Sequence, residues 1–128
     1  MRVLAIAMAG LLTGGCGGGG SSGTTYSPSA TQHALSAAGW SVARAHGMKP
    51  ISGGKQLGWL NVTAPDGTRL SLQFLDSADR AKSELAAVQK TDSKFQGTTI
   101  GSVLVFVAPN GHGPPPSSDV TALDNTMR

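Results

Sequence analysis

The chain is poor in the side chains that usually announce a chemistry. Its 128 residues include one cysteine, three histidines, one tyrosine, two tryptophans and three phenylalanines. A lone cysteine cannot close an internal disulfide or build a Cys-rich zinc site. His33, His46 and His112 fall in segments that read as a helix, a strand and a loop, with no H-x₃-H spacing, so no metal site is expected. Charge is sparse as well. Asp, Glu, Lys and Arg make up 13% of the chain, and the formal net charge is +3. The basic residues are scattered, which argues against the clustered basic face of a nucleic-acid binder. The uncharged, mostly apolar stretch at residues 3–12 is half the length of a bilayer span, about 20 residues.

Familiar catalytic motifs are missing too. "SGGK" at 52–55 has Lys49 where a phosphate loop needs glycine and Gln56 where it needs Ser or Thr. No G-x-S-x-G elbow occurs. "NVT" at 61–63 matches a glycosylation acceptor but falls inside a strand of a chain that reads as bacterial. Asp66 is accounted for by a turn, and Asp76 and Asp79 by a helix cap. Glu84 and Asp92 are left, both expected to be solvated, and they do not suggest a paired-carboxylate site. No catalytic residue, cofactor or metal is therefore expected.

What the chain does have begins at its N-terminus, "MRVLAIAMAGLLTGGC". Arg2 gives a positive start, residues 3–12 form a short apolar core, and Gly14 and Gly15 place slim side chains before Cys16. This segment resembles the leader of bacterial lipoproteins, whose lipobox ends in a small residue and a cysteine. Here it reads Leu12-Thr13-Gly14-Gly15-Cys16, with Thr13 where the commonest form has leucine. The resemblance implies cleavage after Gly15 and diacylglycerol on Cys16, which anchors the chain to a membrane on the extracytoplasmic side. It covers the leader alone. Two acyl chains suffice for stable anchoring. Removing Arg2 with the leader leaves nine basic against seven acidic side chains.

Residues 17–29, "GGGGSSGTTYSPS", are Gly- and Ser-rich and read as a tether with an r.m.s. reach of about 20 Å. Tyr26 is expected to be solvated there. Residues 30–109 are expected to form a small α+β domain, and 110–128 a Pro-rich loop and a short C-terminal helix. A first helix starts near Pro28 and Ser29 and stops at Gly39. "SVARAHG" reads as a weak edge strand. "WLNVT" and "TRLSLQF" flank "APDG", a type I turn with a glycine bulge, and make a hairpin. Leu70, Leu72 and Phe74 face the core there, with Arg69, Ser71 and Gln73 on a wet face. Leu60 and Val62 point to the core, with Trp59, Asn61 and Thr63 opposite.

"DSADRAKSELAAVQK" is a helix capped by Asp76 or Ser77, with Ala78, Ala81, Leu85 and Val88 on one stripe. "TTIGSVLVFVAP" reads as one strand, apolar on both parities and so covered on both sides. "SSDVTALDNTM" is a last helix capped by Ser118 or Asp119, with Val120, Leu123 and Met127 inward. The expected fold is α+β. It is a two-layer sandwich of about four mainly antiparallel strands with helices on one face, in the order α-β-β-β-α-β-α. This layout, with "GTTIGSVLVFV" after the long helix, is similar to small domains of bacterial lipoproteins and secreted proteins, a likeness that implies no active site.

Trp59, Gln73 and Arg69 are the candidate ligand-binding residues, a platform for a small polar ligand or a peptide on an open sheet face. The functional expectation is an envelope lipoprotein with a non-catalytic binding domain, whose partner is an envelope protein or small polar ligand and not a nucleic acid. The alternatives are an envelope enzyme such as a hydrolase, or a structural or stress-related spacer. A cleft of converging polar groups favours an enzyme. An exposed sheet edge or apolar patch favours a binder.

Overall fold

A computed structural model describes residues 24–46, 49–53, 55–108 and 110–128. The expectations for the leader, Cys16 and the first part of the tether fall on residues 1–23, outside the described residues. Three helices, α1 (Pro28–Ala37), α2 (Ala78–Thr91) and α3 (Ser117–Met127), surround a five-stranded sheet. Its strands are β1 (Ser41–Arg44), β2 (Gln56–Thr63), β3 (Arg69–Leu75), β4 (Thr98–Ile100) and β5 (Val103–Val107). They lie side by side as β1-β2-β3-β5-β4, every neighbouring pair antiparallel. The α+β class and the order of elements are as the sequence indicates.

The fifth strand comes from the "TTIGSVLVFV" segment, which folds back on itself. Gly101 and Ser102 turn the chain so that Ile100 pairs with Val103. β5 is interior, as its apolar character demands, and β4 takes the edge.

The helices divide between the two faces of the sheet. Leu35 of α1 and Leu123 and Met127 of α3 pack with Leu60, Val62, Leu70, Leu72, Phe74, Val103 and Val105. The opposite parity, Leu75, Leu104 and Phe106, packs with Ala81, Leu85 and Val88 of α2 and with Phe95. Helices on one face would leave Leu104 and Phe106 in water, which is why the expected two-layer arrangement gives way to cover on both sides. Ser71 and Gln73, expected on a wet face, are buried at 4% and 1% exposure.

The domain begins earlier than residue 30. Tyr26 lies in the first core cluster, and its amide donates to Ser102 Oγ at 2.9 Å. Ser27 caps α1, its hydroxyl accepting the Ala30 N–H, and Pro28 opens the helix, where its missing N–H costs nothing. Residues 110–128 are integral as well. Leu123 and Met127 fill the core, and Phe95 bridges His112 across the loops. α3 starts after Pro116 with no side-chain cap, so neither Ser118 nor Asp119 plays the expected role. Ser77 caps α2, as expected.

The "APDG" turn forms as read. The Gly67 N–H donates to Ala64 O, the Ala64 N–H donates to Thr68 O, and Gly67 adopts φ +92°. Gly111 has a different constraint. At φ +73° it lies against the Phe95 ring and the Phe106 side chain, and a Cβ there would overlap the ring.

Tyr26→Ala should destabilise the domain by on the order of 3 kcal/mol in urea denaturation, the cost of an emptied aromatic site. Thr25→Ala, one residue earlier and exposed, should stay within about 0.5 kcal/mol.

Candidate functional site

α2 covers only part of its face of the sheet. It packs against β3, β5 and the β4 edge, and the β1–β2 half is left open. A groove of about 490 Å³ runs there, lined by Ser41, Ala43, Ala45, Trp59, Asn61 and Arg69 among others. It is concave because the β1 side chains that face it are small. Ser71 lies on its floor, with its hydroxyl donating to Asn61 Oδ1 at 2.9 Å.

The register shows which backbone groups of β1 are spoken for. The Ala45 N–H donates to Trp59 O at 2.9 Å, and Ala43 faces Asn61. In an antiparallel ladder the bonded pairs alternate, so Ser41, Ala43 and Ala45 bond to β2 while Val42 and Arg44 turn their N–H and C=O to the open edge. The Arg44 guanidinium reaches the other way, donating to Ser29 Oγ at 2.7 Å and Gln32 Oε1 at 3.2 Å on α1. Arg69 is the one charged side chain lining the groove. Among the described residues it has no ion-pair partner.

The three residues singled out from the sequence do not form one platform. Trp59 and Gln73 are cross-strand partners, and Arg69 lies near the far end of the hairpin opposite Thr63. Trp59 and Arg69 line the open groove, but Gln73 does not. Trp59 reaches across β3 to meet the Phe106 ring edge-on, with centroids 5.8 Å apart. It stands as a wall between the groove and a second cavity of about 380 Å³, which holds Gln73, Glu84, Val88, Phe95 and Lys49.

That second cavity contains a residue the sequence reading misplaced. Glu84, expected in solvent, is 1% exposed. It falls three residues after Ala81 on the inner stripe of α2, so helical spacing alone carries it inward. Its Oε1 accepts the Ser52 N–H at 2.8 Å, and its Oε2 accepts the Ile51 N–H at 2.9 Å and Gln73 Nε2 at 3.2 Å. Gln73 Nε2 also donates to Gln56 Oε1 at 2.9 Å. Burial pushes the Glu84 carboxyl up, but the amides of Ser52 and Ile51 and the Gln73 side chain outweigh it. The net shift is downward, and the group stays ionised. The bonded carboxylate straps the loop around residue 51 over the sheet. The available signal was the place of Glu84 between Ala81 and Leu85 on the apolar stripe of α2; Gln73, on the polar parity of β3, carried none.

Asp92 is half-exposed and pairs with His112, Oδ2 to Nε2 at 2.5 Å. That bond, and then the Lys94 N–H, hold its carboxyl below the usual range. The contact fastens the loop after β5 to the end of α2. Among the described residues no group of three or more His, Cys, Asp or Glu could hold a metal ion. No helix among them is long and apolar enough to cross a membrane. No family model, curated protein or solved structure matches the chain.

Glu84→Gln replaces an acceptor with an amide that must face a backbone N–H. It should cost on the order of 2–3 kcal/mol at pH 7 in denaturant unfolding. The sign of the pH dependence follows from a folded-state value below the unfolded one. The unfolded chain binds the proton first, so the advantage of wild type is full above about pH 5 and shrinks as pH falls through the folded value. The gap between wild type and variant should be narrower at pH 3 than at pH 7; a constant gap would show that the carboxylate charge is not what holds the loop. In a separate test, iodide should quench the half-exposed Trp59 and spare Trp40, which is 6% exposed, so that Trp59→Phe abolishes most of the quenching.

Proposed function

We propose that the chain is an envelope lipoprotein, anchored through Cys16, whose domain is a non-catalytic binding module. The uncovered half-sheet is its binding surface, and its ligand is an extended peptide segment of an envelope partner carrying a carboxylate. The observation that supports this reading is the pairing of an open edge with an unneutralised cation. Val42 and Arg44 offer free backbone groups on β1, so a strand can add alongside. Alternate side chains of that strand would lie along Ser41, Ala43 and Ala45 toward Trp59. Arg69 lies on β3, three strand spacings of about 4.8 Å from the added strand. An arginine and an acidic side chain reaching toward each other span that distance. β1 is an edge strand of the sheet, which supports reading it as a surface for strand addition.

Glu84 and the Asp92–His112 pair carry the polar groups on which an envelope enzyme would draw. Their hydrogen bonds go to the loops they fasten.

Two experiments test the parts separately. A palmitate analogue should label the wild-type chain and not Cys16→Ala; equal labelling removes the anchor. Photo-crosslinking in the native envelope, read by mass spectrometry, should capture a partner peptide at Ala43. Val42→Pro blocks the open edge without breaking a bond to β2. It and Arg69→Glu should each reduce that crosslink at least tenfold with the fold intact by circular dichroism. Undiminished crosslinking in both variants rules out the groove.

A further inference from the structure

Gln73 is 1% exposed, yet only one end of its amide is bonded. The Glu84 carboxylate can only accept, so the Nε2 end faces it. That nitrogen donates to Glu84 Oε2 and to Gln56 Oε1. No described residue donates to Gln73 Oε1. Ser52 Oγ and Asp119 Oδ2 are also unpartnered, but they are fully enclosed, and Gln73 Oε1 is not. It opens on the cavity of about 380 Å³ that Gln73 lines. A residue in the interior of the domain thus turns an unused acceptor into that space.

The same cavity holds a charge without a counter-charge. Glu84 accepts from two backbone amides and the Gln73 side chain, all neutral donors. Among the described residues no Lys, Arg or His lies within ion-pair distance of it. A buried carboxylate bonded only to neutral groups keeps its field, which is poorly screened away from water. Asp92, which His112 holds, brings a second carboxylate to the lining. Lys49 is the one cation among the described lining residues, and it is exposed and pairs with no acid there. Most of the remaining wall is apolar. Trp59 and Phe95 each meet Phe106 edge-on, with centroids 5.8 Å and 5.1 Å away, and Val88 adds a branched side chain from α2.

These walls select by charge and by shape together. Aromatic rings accept apolar bodies and also attract cations. A bare inorganic cation would leave the rings unmatched. A neutral donor would satisfy Gln73 Oε1 and leave Glu84 without a counter-ion. The cavity is near the lower end of ligand pockets, which run from about 300 to 1,000 Å³, so the ligand is small. We propose that this cavity is a binding site for a small organic ammonium ion with an apolar or aromatic body. Its N–H groups bond Gln73 Oε1 and face the Glu84 carboxylate, and its body lies against Trp59, Phe95 and Phe106. Trp59 stands between the cavity and the groove, so this ligand and a strand added at β1 occupy different places.

The test is a titration of the full chain with benzylammonium, followed by NMR at the Gln73 side-chain amide and the Trp59 indole N–H. Both signals should shift and saturate, with half the effect at or below about 1 mM. Benzyl alcohol and phenylacetate, which carry the same ring without the positive charge, should bind at least tenfold more weakly. Val88→Phe fills the cavity from α2 and touches none of the Glu84 bonds. It should weaken benzylammonium binding at least tenfold, with the fold intact by circular dichroism. Lys49→Ala removes a like charge from the lining and should tighten binding at least twofold. Shifts that do not saturate, equal binding of benzyl alcohol, undiminished binding in Val88→Phe or no tightening in Lys49→Ala each overturn the site. If Val88→Phe does not fold, the three ligands and Lys49→Ala decide alone.

Discussion

The rest of the structure depends on β5 being apolar on both faces. Val103 and Val105 point one way, Leu104 and Phe106 the other. A strand of this kind must be interior and covered on both sides. The described residues supply three helices with which to do it. Two lie together on the Val face and one lies on the Leu104 and Phe106 face. A helix with its side chains is about 10 Å across, roughly two strand spacings. One helix therefore cannot cover five strands. It covers β5 and its neighbours, and the β1–β2 half of that face stays open. The groove is a consequence of this shortage.

The buried carboxylate follows from the same shortage. At the margin of α2 the sheet carries Gln73, a polar side chain with no water to bond. An unpaired polar group there would be costly. Glu84 meets it, and the charge so brought inside must itself be satisfied, which the amides of Ile51 and Ser52 do. A loop that would otherwise have few contacts is thereby drawn over the second cavity. Trp59 closes the margin from the other side by standing its ring edge-on to Phe106. Behind it, Phe95 packs on the same ring and on Gly111. The edge of the covered region is thus built from one charge network and one aromatic stack, with the open groove beginning where Trp59 ends.

Local chemistry in the sequence was legible wherever it acts alone. The "APDG" hairpin, the Ser77 cap and the edge position of β1 all depend on neighbours within a few residues, and all appear as read. Placement that depends on distant partners was not. The apolar double parity of residues 103–107 already implied cover on both sides, but the alternation of Arg69, Ser71 and Gln73 pointed to a wet face. Only the position of α2 decides between them. Tyr26 looked like tether because its surroundings are Gly and Ser, whereas its partner, Ser102, lies 76 residues away. Glu84 looked solvated because a glutamate on a helix usually is. Its amide partners come from a loop with no pattern of its own. Of the three candidate residues, Trp59 and Arg69 line one groove, and Gln73 lies in the other cavity behind the Trp59 ring.

The two ends of the sheet are chemically unlike, and that difference gives the molecule a direction. One end gathers the residues that tie the N-terminal segment down, Tyr26 and Ser102, together with the exposed Leu57. The other carries the hairpin turn, Arg69 and the open edge of β1. The described chain enters the fold at one end of the strands, and the open groove lies toward the other. Covering the groove with a fourth helix would remove the open face. The arrangement seen keeps both faces of β5 dry, with an open edge at the end away from the arriving chain.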